Sequence, residues 1–345
     1  MNVKRTLAAA VAGVGGVALT NRLLSTRAGR LDPPLDGETD TYSWRGFDVA
    51  TVEAGDPEDP TLVLLHGVNA AASAGEFREV FARLAETHHV VAPDLPGFGR
   101  SDRPSLRYSA TLYEEFVAEF LGEYDAPAVL ASGLTAAYAA AAAADGVEVE
   151  SLVLVCPTAV AGPDRITALR ELFRAPLVGT ALFNLLVSKP SIRYFNADHG
   201  YYDLDSLSES WVDYEWQSAH QPGARYAPAS FISGFLNSDR DLGEALATAD
   251  APVTLVWGRE AEVTPLSDGR DLAEAADARL VVLDDAKLLP HVEFPAAVVG
   301  ALDRDLPGGT HGSDQGADGD HRTAGTAPGT GEGTVTEEQA SGDAD

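Results

Sequence analysis

The chain has 345 residues, 45% of them hydrophobic, enough for one large domain or two ordinary ones around a substantial core. Its formal net charge is −29, and its lysines are Lys4, Lys189 and Lys287. So acidic a molecule repels nucleic acid and anionic lipid, and charge spread over the whole chain suits hydration in concentrated salt, a halophilic adaptation. A single cysteine, Cys156, excludes an internal disulfide and offers no cluster for zinc. No metal or other cofactor is expected.

The N-terminus, residues 1–30, begins MNVKRTLAAAVAGVGGVALTNRLL. Lys4 and Arg5 precede an apolar stretch from Leu7 to Leu19, shorter than the roughly 20 residues a membrane helix needs. Three readings stay open: an uncleaved anchor through which the chain associates with a membrane, a signal segment, or a Gly/Ala-rich helix packed on the domain. TYSWRGFDVATVEAG reads as a β-hairpin, and TLVLLHG (61–67) as a strand buried on both faces. GEFREVFARLAE (75–86) has helical spacing. HVVAPDLPGFGRSDRP is a strand and a Pro/Gly-rich loop, TLYEEFVAEFLGEY (111–124) a helix, and APAVLASG a strand. LTAAYAAAAAA is a helix of strong propensity. SLVLVCP (151–157), PVTLVWG (252–258) and RLVVLDD (279–285) are strands, and PAAVVGALDRD is a closing helix. From residue 307 to 345 a Gly-, Asp- and Thr-rich stretch predicts a disordered acidic tail, in which His311 and His321 are simply exposed.

Strands alternating with helices predict an α/β fold with a mainly parallel sheet. Its core spans 42–160 and 245–306. The intervening 161–244 is helical and aromatic, and is expected as a helical cap over the carboxyl ends of the strands, where open α/β sheets bind ligands.

Order and motifs together resemble the α/β-hydrolase superfamily, from Tyr42 to Leu306. LVLLHGVNAAAS resembles the segment after the third strand. VVAPDLPGFGRSDRP is the most specific match, VWGREAEVTP resembles the segment of the catalytic acid, and LLPHVEFP resembles the ending around the catalytic histidine. The resemblance implies a serine on a strained strand-to-helix turn, a histidine base, an orienting carboxylate and two backbone N–H groups facing the oxyanion. His66, Asp94, Gly97 and Gly99 look motif-like but are read as loop-shaping.

The residues two before and two after the nucleophile must be small. With Ser132 as nucleophile the flanks are Leu130 and Leu134; with Gly133 they are Ala131 and Thr135. The second register fits, so the nucleophile position reads Gly133. Counting from Gly258 and back from Pro265 puts Ala261 at the acid position, flanked by Glu260 and Glu262. The ending puts Leu288 at the reactive-histidine position and His291 at the second, structural one; Glu293 and Pro295 match the non-reacting part of that motif. The triad is thus read as lost. A displaced constellation would draw on Ser132 and His291, with Asp164 as acid and His199 or His220 reaching in from the cap. The anion site is backbone and survives in this reading, with the N–H groups of Val68 and Leu134 as donors.

These observations predict a catalytically degenerate protein that binds a small apolar ligand, a carboxylate or ester, or a protein partner. The alternative is an active esterase-like hydrolase built around Ser132 and His291. A third reading is a membrane-tethered scaffold with Leu7–Leu19 as the tether.

Overall fold

The computed structural model describes residues 3–302, 306 and 335–338. A long helix, α1 (Val3–Ala28), leads into a hairpin of β1 (Glu38–Trp44) and β2 (Phe47–Ala54). Arg45 and Gly46, at φ 47° and 87°, close the hairpin. Two left-handed residues in a two-residue turn match the right-handed twist of the strands. Then follow β3 (Thr61–Leu65), a 3₁₀ turn (Ala74–Phe77), α2 (Phe81–Leu84), β4 (His89–Pro93), α3 (Ala110–Leu121), β5 (Ala128–Ser132), α4 (Gly133–Ala144) and β6 (Ser151–Val155). The helical insertion holds α5 (Thr167–Arg174), α6 (Val178–Leu186), α7 (Lys189–Phe195), a π turn (Asn196–Gly200), α8 (Glu209–Ala219) and α9 (Tyr226–Ile232). The chain returns through α10 (Leu242–Thr248), β7 (Val253–Gly258), α11 (Leu266–Ala276), β8 (Arg279–Leu283), α12 (Pro290–Glu293) and α13 (Pro295–Leu302), with β9 (Val335–Glu338) beyond.

The sheet has the order β1-β2-β4-β3-β5-β6-β7-β8-β9. From β4 through β8 neighbouring strands are parallel, and the pairs at both edges are antiparallel. Every residue of β5 and β6 is buried, which is why these strands read as unbroken apolar runs rather than alternating ones. The alanines of α4 let it approach closely, and α3 and α10 pack against it. Tyr113 stacks on Tyr138 with ring centroids 5.8 Å apart. Their hydroxyls donate to the carbonyls of Pro96 and Leu236 respectively, so two fully buried phenols leave no polar atom without a partner.

Four expectations change. The helix read over 75–86 contracts to the 3₁₀ turn and the single turn α2, because Glu76 is drawn inward instead of facing water. The chain expected to be disordered after residue 307 supplies β9, whose pairing comes from the open edge of β8; the remainder of that tail lies outside the described residues. α10 begins inside the stretch expected as cap, yet packs on α4 and α11. Of the three readings of the N-terminus, the structure favours the helix on the domain. The Asn21 amide donates to Leu177 O at 3.1 Å and accepts from Asn184 at 3.0 Å, and Gln221 donates to Gly29 O at 3.0 Å. No helix among the described residues is long and apolar enough to cross a membrane.

Candidate active site

The carboxyl ends of β3, β5 and β6, together with the loops after β7 and β8, form the floor of a cavity of about 490 Å³, and α5–α9 with the π turn form its roof. The floor is held by His66, which is fully buried. Its Nε2 accepts from Leu95 N at 3.0 Å, which places the proton on Nδ1, 2.7 Å from Gly67 O. Its own carbonyl accepts from Thr135 Oγ1 at 2.8 Å. One histidine, through its ring and its backbone carbonyl, thus ties together the loops after β3 and β4 and the first turn of α4. Asp94 acts likewise, accepting from Ala74 N and Arg100 N at 2.8 Å each. A Cβ on Gly99 would run into that carboxylate. These motif residues shape loops, as the sequence implied.

At the strand-to-helix turn, Ser132 is still extended (φ −116°, ψ 141°) and Gly133 is left-handed at φ 55°. A Cβ on Gly133 would meet nothing within 4 Å, and the residue lines the cavity. Its flanks Ala131 and Thr135 are fully buried. At this turn the side-chain direction of residue 133 is open at the cavity, while the residues two away on either side are enclosed and must be small. Leu288 also lines the cavity. Ala261 is buried on the loop that contributes Val263 and Thr264 to the wall, and is itself outside the lining. Glu260 turns away to accept from Ala286 N at 3.1 Å, and Glu262 is exposed.

The displaced constellation assembles in part. Ser132 lines the cavity, and His291 is fully buried behind it. No described contact joins Ser132 to a histidine; Glu76 lies between them instead. Glu76 Oε2 accepts from Gly67 N at 2.9 Å, and its Oε1 lies 3.4 Å from His291 Nε2. Burial pushes the Glu76 carboxyl up, but His291, the Ser132 hydroxyl and His66 outweigh it, and the group is held below the ordinary carboxylate value. Asp164 does not join: it is exposed on the loop after β6. His199 reaches the cavity wall from the π turn, whereas His220 stays outside the lining, with Nδ1 2.7 Å from Trp216 O.

Sequence reasoning missed two carboxylates and a thiol. Glu76 and Glu215 are both buried and both line the cavity, and a recess of about 30 Å³ lined by Ser73, Arg78 and Asn196 connects them. Asn196 donates to Glu215 Oε2 at 2.7 Å. Burial pushes the Glu215 carboxyl up to about 7, against the opposing effects of Asn196 and Arg78 and with the help of Glu76. Cys156 lines the cavity too, but burial pushes its thiol up to about 12, which leaves no thiolate for nucleophilic work at neutral pH. No lysine or arginine lines the cavity among the described residues. No group of three or more potential metal-binding side chains occurs among the described residues either.

Val68 and Leu134, the expected backbone donors, both lie at the cavity. The Val68 N–H has no protein acceptor among the described residues. Leu134 is the second residue of α4, where a helix has no acceptor of its own to offer. Both residues line the cavity together with Gly133.

Comparison with known proteins places this geometry in context. A model of the alpha/beta hydrolase family matches residues 62–301. Among curated proteins, an uncharacterized hydrolase of Saccharomyces cerevisiae is 46% identical over 52 residues, 15% of this chain and 17% of that protein. An uncharacterized protein of Mycobacterium tuberculosis is 35% identical over 66 residues, 19% of each. The chain thus spans under a fifth of the length of these curated relatives. Among solved structures, 2-hydroxy-6-oxo-6-phenylhexa-2,4-dienoate hydrolase from a Rhodococcus strain superposes with a TM-score of 0.65 at 21% identity, over 77% of this chain and 97% of that one. A bacterial membrane phospholipase A gives 0.62 at 24% identity, over 87% and 94%. Carboxylesterase CesB of Bacillus subtilis gives 0.60 at 16% identity, over 86% and 100%. These likenesses show the fold.

Proposed function

The chain belongs to the alpha/beta hydrolase family, and from that premise we propose that it is a catalytically degenerate member that binds a small, largely apolar, uncharged carbonyl compound such as an ester or ketone. The observation that carries this reading is Gly133: the left-handed turn is kept, its side-chain direction opens into the cavity, and no reacting atom stands there. In this reading Leu288 and Ala261 occupy the positions that the sequence resemblance gives to the family's histidine and acid; Leu288 lines the cavity and Ala261 is buried. Removing members of such a triad costs orders of magnitude in rate and leaves binding and the anion site behind.

The cavity argues for the ligand class. Phe173, Leu186, Val187, Ile192, Phe195 and Phe231 give it an apolar wall, the usual lining of a small-molecule site. The N–H groups of Val68 and Leu134 suit a carbonyl oxygen. A carboxylate suits them poorly: Gly67, next to Val68, already donates to the ionised Glu76, and the cavity lining brings no lysine or arginine to offset a second negative charge.

One observation favours a second reading, an active hydrolase. A carboxylate, Glu76, sits beside the Ser132 hydroxyl and within 3.4 Å of a buried histidine, and a positioned carboxylate can serve as a general base. The two readings separate in one experiment. The full-length protein is incubated with short-chain p-nitrophenyl esters and with a fluorophosphonate probe. The degenerate reading predicts no turnover above the buffer rate and no adduct, together with thermal stabilisation by aryl ketones and not by the matching carboxylates. A fluorophosphonate adduct on Ser132 establishes the second reading instead.

A further inference from the structure

The acidic charge is not spread evenly. Residues 1–31 contain five Lys or Arg and no Asp or Glu, so the other 314 residues, with 19 and 53, carry a net −34. The charge is therefore not uniformly scattered, and the expected repulsion of anionic lipid is weakest at α1. Arg22, Arg27 and Arg30 are exposed, and no described acid lies within salt-bridge distance of any of them. The cap segment that faces α1 is basic as well: residues 165–197 hold five Lys or Arg against the single acid Glu171. All five are already paired: Arg165 with Asp239, Arg170 and Arg174 with Glu171, Lys189 with Asp213 and Arg193 with Glu209. The uncommitted charge is thus that of α1.

The same face exposes large apolar side chains. Leu19 and Leu23 lie one turn apart on α1 and are each 59% exposed. On α6, Val178, Leu182 and Leu185 share one face at helical spacing, with Leu185 69% exposed. α1 packs on α6, and Asn21 bridges Leu177 O and Asn184. The two apolar rows therefore lie on packed neighbouring helices, with the exposed Arg22, Arg27 and Arg30 beside them on α1 and just beyond its end, on a protein that is otherwise strongly negative. A row of apolar side chains with cations beside it is the pattern that lies in the headgroup layer of a bilayer.

We propose that α1 and the outer face of α6 form a docking surface for an anionic phospholipid bilayer. Leu19, Leu23, Val178, Leu182 and Leu185 enter the interface, and Arg22, Arg27 and Arg30 meet the phosphates. The strongly negative remainder of the molecule faces away and sets the orientation. The arrangement is peripheral, in agreement with the lack of a membrane-crossing helix among the described residues. It stands independently of whether the cavity catalyses or binds.

The test is flotation of the full-length protein with vesicles of phosphatidylglycerol and phosphatidylcholine, against vesicles of phosphatidylcholine alone. The variants are Arg22→Glu with Arg30→Glu, and Val178→Glu with Leu185→Glu. All four positions are exposed, and an unchanged thermal melt confirms folding. Each headgroup contact is worth about fivefold in partition. The parent is expected to float with the anionic vesicles, to lose binding as salt rises, and to bind at least tenfold more weakly as either double variant or on neutral vesicles. Failure of the parent to float, or flotation unchanged in both variants, overturns the proposal. So does light scattering that shows a dimer dissolved by Leu185→Glu, since the face then belongs to a second copy of the chain.

Discussion

Glu215→Gln is the substitution whose effect can be worked furthest from the structure. The Glu215 carboxyl is buried at the junction of α8, the π turn and the 3₁₀ turn, facing Asn196, Arg78, Tyr201 and Glu76. Its pKa rises from the ordinary 4.5 to about 7. The sign follows from proton counting. Between those two values the native state holds a proton that the unfolded chain has released, so stability falls as pH rises through this window. Below 4.5 both states are protonated and nothing is lost; above 7 the full cost of the buried charge is present. At 1.36 kcal/mol per pH unit, a rise from 4.5 to about 7 corresponds to about 3 kcal/mol. With an unfolding entropy of ~2 cal/mol/K per residue, that is about 5 °C in Tm for a chain of this size. Glutamine keeps an oxygen to accept from Asn196 and cannot ionise. The variant should therefore match the parent near pH 4.5 and melt several degrees higher at pH 8. Thermal unfolding followed by circular dichroism across pH 4–9 reads this directly. Parallel pH profiles for parent and variant would refute the assignment of a buried, proton-retaining carboxyl to the cavity wall.

Other expectations are simpler. Gly133→Ser places its Cβ in open space at φ 55°, so its cost is the left-handed conformation alone, about 1–2 kcal/mol. It should fold with a modestly lower Tm and, lacking base and acid, gain no esterase activity. Gly258→Ala, by contrast, drives a Cβ into the Lys287 carbonyl and should yield little soluble protein. Val187→Trp adds bulk at the cavity wall and should abolish the ketone-induced thermal shift while the apo Tm changes by a few degrees at most; a persisting shift would place the ligand elsewhere. Potassium chloride should raise Tm steadily, since screening relieves the self-repulsion of a chain carrying −29. A flat salt series would remove the halophilic reading.

The parts of this protein that could be read in advance are those where one local rule decides. The strands over 128–132 and 151–155 are apolar on both faces, and such runs announce a parallel sheet. The size of its flanks is what singles out Gly133 in the sequence, and in the structure that residue has a left-handed φ and an open Cβ direction. Glu76 and Glu215 were illegible for the converse reason. In a chain with 53 acids, a glutamate on an amphipathic segment looks like one more solvated charge, and its burial depends on partners outside its own element, Gly67 and His291 for one and Asn196 for the other. Inward rotation of Glu76 also ended the helix expected around it. β9 lies in a Gly- and Thr-rich stretch with no pattern of its own, and its pairing is dictated by β8. The docking face of α1 needs the helix placed on the cap before its arginines and leucines can be seen to share a side.

The central claim is that the nucleophile turn persists as a binding socket without a nucleophile. Mass spectrometry of the intact protein after exposure to a fluorophosphonate probe tests it most directly. The account predicts an unchanged mass under conditions in which a serine esterase control is fully labelled. A stoichiometric adduct mapping to Ser132 would contradict it, and would place the chemistry on the Ser132, Glu76 and His291 cluster instead.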